Sequence, residues 1–256
     1  MSDALGLTLF AHVCDRPDDE IDLVEGALLL AEIDHPGVDH ARARSILDEL
    51  GRGAKAAIAR AEAEHQAEEA PDMRDVRRLE GALRYLYEQA GFRGNGEDYY
   101  DPKNSFLDEV LSRRTGIPIT LAVVLIEVGR RAGLDLRGVS FPGHFLVRAE
   151  TPMGLLIVDP FGGRLLSRAE LRALFARATG QDREPEAEQL EAAGPRQILL
   201  RMLANLRGIY RSRGDMDHLR AVLERMDVLA PSEELRRERQ EIGGSAPFRA
   251  GRRSLN

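Results

Sequence analysis

Apolar positions recur with helical spacing over the first ninety residues. Ile21, Val24, Leu28 and Ala31 fall near a 3.6-residue period, which predicts a helix from Glu20 to Ile33. His35-Pro36-Gly37-Val38 breaks it. A second helix is expected from about Asp39 toward Arg60, with Ala43, Ile46, Leu47 and Leu50 on its inner face and Gly51 and Gly53 weakening its middle. Residues 62–71 are acidic and end in a proline. A third helix, Asp72 to Ala90, uses Val76, Leu79, Leu83, Leu86 and Tyr87 and stops at Gly91.

The pattern then changes. Residues 93–98 read as a loop. Ser105 with Asp108 three residues on resembles a capping box, so a short helix is expected from there to Thr115-Gly116. Pro118 suits the first turn of the next helix, where its missing N–H costs nothing. That helix carries Leu121 to Ile126 and Val128 on nearly every side and should be buried. Leu136 to Phe141 and Phe145 to Ala149 read as strands around a Pro-Gly turn, and Leu155 to Val158 as a third. Phe161-Gly162-Gly163 is a turn without the glycine spacing of a phosphate loop, and Ser167 caps a helix to about Ala178. Residues 181–194 are polar and acidic, as in a linker. The chain is helical again from Pro195, with a second helix opened by Gly214-Asp215 and ended by Pro231, and a third from Glu233 to Ile242. Leu203, Leu206, Tyr210, Gly214, Leu223 and Pro231 fit the register of one tetratricopeptide repeat, although Leu219 stands where a small residue is usual. Residues 243–256, rich in Gly, Ser and Arg, are expected to be disordered, and their basic end is too short to assign to an anion.

Composition narrows the functional classes. At 256 residues, 43% hydrophobic and 31% charged, the chain can build a full core without disulfide or metal. Its net charge of −7 disfavours a nucleic-acid partner. No run approaches a membrane span, and the first residues lack a basic region followed by an apolar one, so a reducing cytosol is expected. The single cysteine, Cys14, excludes an internal disulfide framework. His12, His35, His40, His65 and His218 form no metal-ligand spacing, and neither metal nor cofactor is expected.

Four blocks carry the candidate chemistry: Tyr99 to Leu107, Gly116 to Ala122, Phe141-Pro142-Gly143-His144 running on to Arg148, and Val158-Asp159-Pro160-Phe161-Gly162-Gly163. A helix, then a histidine opening one strand, then an aspartate closing the next, resembles a transglutaminase-like core. The blocks are similar to the bacterial SirB-type branch of that superfamily, which joins such a core to C-terminal tetratricopeptide repeats. The resemblance covers about residues 20 to 240 and implies a papain-like arrangement. It also implies that His144 takes a proton and Asp159 orients it.

The implied nucleophile is missing. An active member opens the central helix with Gly-x-Cys, and here that cysteine position falls on Pro118. Thr120, two residues on, is the nearest hydroxyl. A threonine early in a buried helix ordinarily bonds the carbonyl one turn back, and that is expected here. Cys14 lies outside every block and reads as a small apolar residue. Tyr99, Tyr100, Asp101 and Asn104, with Pro118, are candidates for lining a cleft, although a turn and an N-cap are the preferred account of the first four.

The expectation is therefore an α+β fold. It comprises a helical N-terminal segment (1–91), a core with a central helix on a small antiparallel sheet (92–180), a linker (181–194), a tetratricopeptide-like helical hairpin (195–242) and a tail (243–256). A single repeat is too small to form a peptide groove, so its apolar helices should pack on the core or on a second subunit, as in a homo-oligomer. The expected function is non-catalytic, a cytosolic module binding a protein or peptide, with His144 and Asp159 as polar contacts. The alternative is a divergent hydrolase or acyl transferase in which Thr120 or an activated water attacks an amide or ester. Catalysis requires Thr120 or a water within about 2.6–3.2 Å of an imidazole nitrogen.

Overall fold

The computed structural model describes residues 2–64 and 73–244. Of the expected disordered tail (243–256), residues 245–256 lie outside them, as do His65, the acidic run after Glu64 and the helix start at Asp72; Gly243 and Gly244 instead end the last helix. The fold is mixed α+β and mostly helical.

Four helices precede the sheet: α1 (Ser2–Cys14), α2 (Leu23–Ala31), α3 (His40–Glu64) and α4 (Arg74–Arg84). Helix α2 starts at Asp22, whose carboxylate accepts the Glu25 N–H, a cap that leaves Glu20 and Ile21 outside the helix. Helix α1 has no single apolar stripe to announce it: Phe10 and Cys14 are buried while Leu5 and Leu9 are exposed. The third expected helix is regular only to Arg84 and continues as a π-helical turn, Tyr85–Gln89. Ala90 N–H closes that turn on Tyr85 O at 2.8 Å.

Residues 93–98 are not wholly a loop. Strand β1 (Arg93–Gly94) pairs in parallel with β2 (Thr115–Gly116). A two-residue strand carries too little pattern to be legible. The expected capping box is also not formed. Helix α5 (Leu107–Arg113) has Phe106 at its N-cap with no side-chain bond, and Ser105 ends a 3-10 turn, Pro102–Ser105, capped by Asp101. Asp108 is instead drawn to His35, 2.6 Å away, a long-range partner that outcompetes the local one.

Helix α6 (Pro118–Ala132) begins on Pro118 and ends at Gly133, whose φ of 83° suits glycine. It is buried on nearly every side, packed by α3, α5, α8 and the sheet. The sheet is an antiparallel meander of β3 (Arg137–Val139), β4 (Leu146–Thr151), β5 (Gly154–Asp159) and an unanticipated β6 (Arg164–Leu165). Val147 opposes Val158 and faces the α6 core, whereas Val139, Leu146 and Ile157 join Leu171 and Phe175 of α7 (Arg168–Thr179) on the other face. The two-residue alternation is thus buried on both sides. Ser167 and Glu170 close a reciprocal capping box on α7.

Residues 181–194 are fastened along the sheet edge, where Ala193 N–H bonds Gly138 O at 2.7 Å. Helices α8 (Pro195–Arg213), α9 (Met216–Leu229) and α10 (Glu233–Gly244) follow. Helix α8 packs on α9 and α9 on α10, and their apolar residues Leu199, Leu203, Leu206 and Leu223 are sealed within the main core. Helix α2 approaches α8 so closely that a Cβ on Gly26 would stand 2.7 Å from Leu199 Cδ1. Among the described residues no helix is long and apolar enough to cross a membrane.

Candidate functional site

Two turns bring the histidine and the aspartate together. His144 N–H bonds Phe141 O at 3.1 Å, and Gly143 takes φ 66° inside that turn, a conformation that favours glycine. His144 is thereby held two residues before β4. Asp159 is the last residue of β5, the neighbouring strand. Antiparallel pairing returns the end of β5 to the beginning of β4, so the side chains meet: His144 Nε2 lies 2.8 Å from Asp159 Oδ1.

The carboxylate is fixed from a second side. Phe161 N–H donates to Asp159 Oδ1 at 2.9 Å. Burial pushes the Asp159 pKa up, but the His144 bond and charge and the Phe161 and Gly162 amides outweigh it, leaving the carboxyl below its ordinary range. An ionised Asp159 holding Nε2 as its donor leaves Nδ1 as the free ring nitrogen. Among the described residues Nδ1 has no hydrogen-bond partner, and the His144 side chain is 16% exposed.

Thr120 sits in the first turn of α6 and is fully buried. Among the described residues its Oγ1 has no hydrogen-bond partner. The expected bond to the carbonyl one turn back is not made; the Gly116 carbonyl instead accepts the Asn95 N–H at 2.9 Å. Nor is Thr120 bonded to the imidazole. Pro118 is likewise buried.

The segment before α5 is a hydrogen-bonded knot. Asn104 is fully buried; its amide nitrogen donates to Asp98 O (2.7 Å) and Tyr99 O (3.3 Å), and its side-chain oxygen accepts from Asn95 and Arg113. Asn104 O accepts the Ile117 N–H at 3.4 Å, which places the start of α6. Asp101 caps the 3-10 turn and pairs with Arg113 at 3.2 Å. The polar atoms of Asp101 and Asn104 thus serve the loop itself. Tyr100 is 71% exposed, and its carbonyl accepts from Arg213 of α8. Tyr99 packs edge-on against Tyr100 and, tilted at 54° with 6.2 Å between ring centres, against Phe161. An aromatic surface therefore borders the Asp159 turn.

Cys14 belongs to α1 and is buried. Burial, partly offset by Arg196, pushes its thiol up to about 11, which suppresses the nucleophilic thiolate. Among the described residues no group of three His, Cys, Asp or Glu side chains is arranged to hold a metal.

Two contacts beside the site were not legible. Phe161 lies across Gly94, where a Cβ would stand 2.5 Å from the ring. Tyr87 Oη donates to Pro160 O at 2.6 Å. Tyr87 was visible only as one apolar position of a helix.

Residues 45–204 match the family model described as "Transglutaminase-like superfamily". The chain belongs to the transglutaminase-like superfamily. It is 37% identical to a UPF0162 protein of Xylella fastidiosa, over 99% of this chain and 87% of that protein. It is 33% identical to a UPF0162 protein of Vibrio cholerae, over 77% of this chain and 69% of the other. F-box only protein 21 of Mus musculus is 34% identical over 52% of this chain but only 22% of its own length. No solved structure matches the chain. In this transglutaminase-like chain the histidine and aspartate of the resemblance stand in hydrogen-bonding contact, and Pro118 and Thr120 stand at the head of the central helix without a thiol.

Proposed function

We propose that the chain is a non-catalytic transglutaminase-like module that binds a protein or peptide in the cytosol, with His144 and Asp159 as polar contacts for the bound chain. One observation carries this reading: the Thr120 hydroxyl is sealed in the core and unbonded to the imidazole, while the His144 side chain keeps some exposure and is bonded, among the described residues, through Nε2 to Asp159. A base without a neighbouring nucleophile retains its hydrogen-bonding capacity and loses its acyl-transfer chemistry. The SirB-type resemblance and the single tetratricopeptide-like register at 195–242 belong to the same reading. In it helices α8 and α9 brace the core, which the Arg213 bond to the Tyr100 carbonyl supports. The matched segment occupies a fifth of the longer F-box only proteins, as a transferable module would. The acidic net charge of −7 disfavours nucleic acid as the partner.

The test joins turnover to binding. Wild type and His144→Ala are assayed on fluorogenic esters and amides, and both are panned against a displayed random-peptide library. The proposal expects no turnover from either protein and a peptide consensus that His144→Ala loses. Turnover that disappears with His144 would overturn it. That outcome would establish the second reading, hydrolysis by water on Nδ1, which the partial exposure of His144 and the buried Thr120 hydroxyl favour over attack by Thr120.

A further inference from the structure

The π-helical turn Tyr85–Gln89 holds five residues where an α-helix would hold fewer, and it sends its two tyrosines apart. Tyr85 lies over Gly53 of α3, where a Cβ would collide with the phenol at 2.0 Å. Tyr87 lies on the turn between β5 and β6. Gly163 in that turn has φ 67°, and a Cβ there would stand 2.4 Å from the Tyr87 ring. π-Bulges are frequent at functional sites, because the extra residue re-aims a side chain.

The hydroxyl of Tyr87 makes a specific contact beyond this packing. It donates to Pro160 O at 2.6 Å. The peptide unit that carries this carbonyl also carries the Phe161 N–H, which donates to Asp159 Oδ1 at 2.9 Å. A trans peptide is planar, with C=O and N–H pointing opposite ways, so a donor that fixes the carbonyl fixes the direction of the N–H. Asp159 Oδ1 in turn holds His144 Nε2 at 2.8 Å. Gly163 N–H closes the same turn on Asp159 O at 2.8 Å.

We infer that Tyr87 is a positioning residue for the His144–Asp159 pair: its hydroxyl orients the Pro160–Phe161 peptide plane, and that plane aims the amide that holds the carboxylate. The inference rests on the pair being the site. It adds a link in series, Tyr87 to peptide to Asp159 to His144, reaching from helix α4's extension across to β4. Burial and the neighbouring Asp159 charge push the Tyr87 phenol well above its ordinary range, so it remains a donor at any physiological pH. A phenylalanine would fill the same space without orienting the peptide.

The experiment is NMR on the full chain as wild type, Tyr87→Phe and, as a control in the same π turn, Tyr85→Phe. In Tyr87→Phe the Asp159 carboxyl titration is expected to move upward by roughly half a pH unit, because its amide donor is no longer held. The Phe161 amide should exchange about tenfold faster, and the His144 ring nitrogens should shift toward a mixture of tautomers. Tyr85→Phe should leave all three signals in place. In the wild type, the Tyr87 hydroxyl proton should appear as a slowly exchanging resonance, a measurement that needs no variant to fold. The inference is overturned if that resonance is absent, or if Tyr87→Phe loses stability while Asp159, Phe161 and His144 read as wild type. None of these readouts depends on turnover or on a partner. Their failure would remove the role of Tyr87 and leave the binding reading intact, whereas a failed binding test would leave the positioning chain measurable.

Discussion

His35 Nε2 lies 2.6 Å from Asp108 Oδ2, joining the loop after α2 to the first turn of α5. The ring also stands edge-on to Phe106 at 5.6 Å. Asp34 beside it accepts from Tyr210 of α8 at 3.3 Å. The loop therefore links the N-terminal helices, the core and the C-terminal helices. Burial lowers the His35 pKa, but the bond and charge of Asp108, and then those of Asp34, outweigh it and raise the folded value.

That direction fixes the sign of a pH effect. A histidine raised above its unfolded value of about 6.5 adds stability that is complete below that pH and lost as pH climbs through the folded value. With His35 34% and Asp108 22% exposed, solvent screening holds the contribution to about 0.5–1 kcal/mol. Urea unfolding of wild type and His35→Gln should show the larger gap at pH 5.5 and a smaller one at pH 8.5. Equal gaps at both would show that the imidazolium contributes nothing.

Asn104 should be among the most sensitive polar positions. Asn104→Ala removes four side-chain hydrogen bonds and leaves Asn95 and Arg113 short of partners. A loss of roughly 2–4 kcal/mol is expected. Hydrogen exchange should localise it: the Ile117 amide, held by Asn104 O, ought to lose protection before the centre of α6.

Thr120→Val tests the hydroxyl directly. Burying an unpaired hydroxyl costs about 1–3 kcal/mol, and valine keeps the branched shape, so the variant should match or exceed wild type in urea midpoint. A marked loss of stability would mean that Oγ1 has a hydrogen bond in solution.

Gly51→Ala should destabilise the chain although alanine favours a helix by about 1 kcal/mol. A Cβ there would stand 2.5 Å from Arg131 Cβ on α6, and neither helix backbone yields easily. Overpacking of this kind costs about 1–3 kcal/mol. Thermal melting of the single variant decides it; a raised midpoint would mean that the α3–α6 contact is looser.

The helices with one apolar stripe were legible because burial of a stripe leaves a period in the sequence: α3 keeps Ala43, Leu47 and Leu50 inside, and α6 is buried around its circumference. Gly51 and Gly53 looked like weak points of α3, and the structure gives their reason as close approach to Arg131 and Tyr85. The π turn, β1 and β6 left no such trace, since two to five residues are too few to establish a period. Ser105 and Asp108 had the spacing of a cap, yet Asp108 found His35, 73 residues away.

The same division runs through the candidate site. By itself the sequence determined that a histidine opens one strand and an aspartate closes the next, and that proline and threonine stand at the head of the central helix. These are local facts of residue type and order. Tertiary structure alone decided that His144 and Asp159 lie 2.8 Å apart, that the Thr120 hydroxyl faces no partner, and that Tyr87 reaches the Pro160 carbonyl. Hydrogen bonds are directional and short, so their partners depend on how helices and strands pack to within a fraction of an ångström. Hydrophobic burial is non-directional and needs only the pattern, which is why the pattern and the site's residue types could be read along the chain and the site's bonds could not.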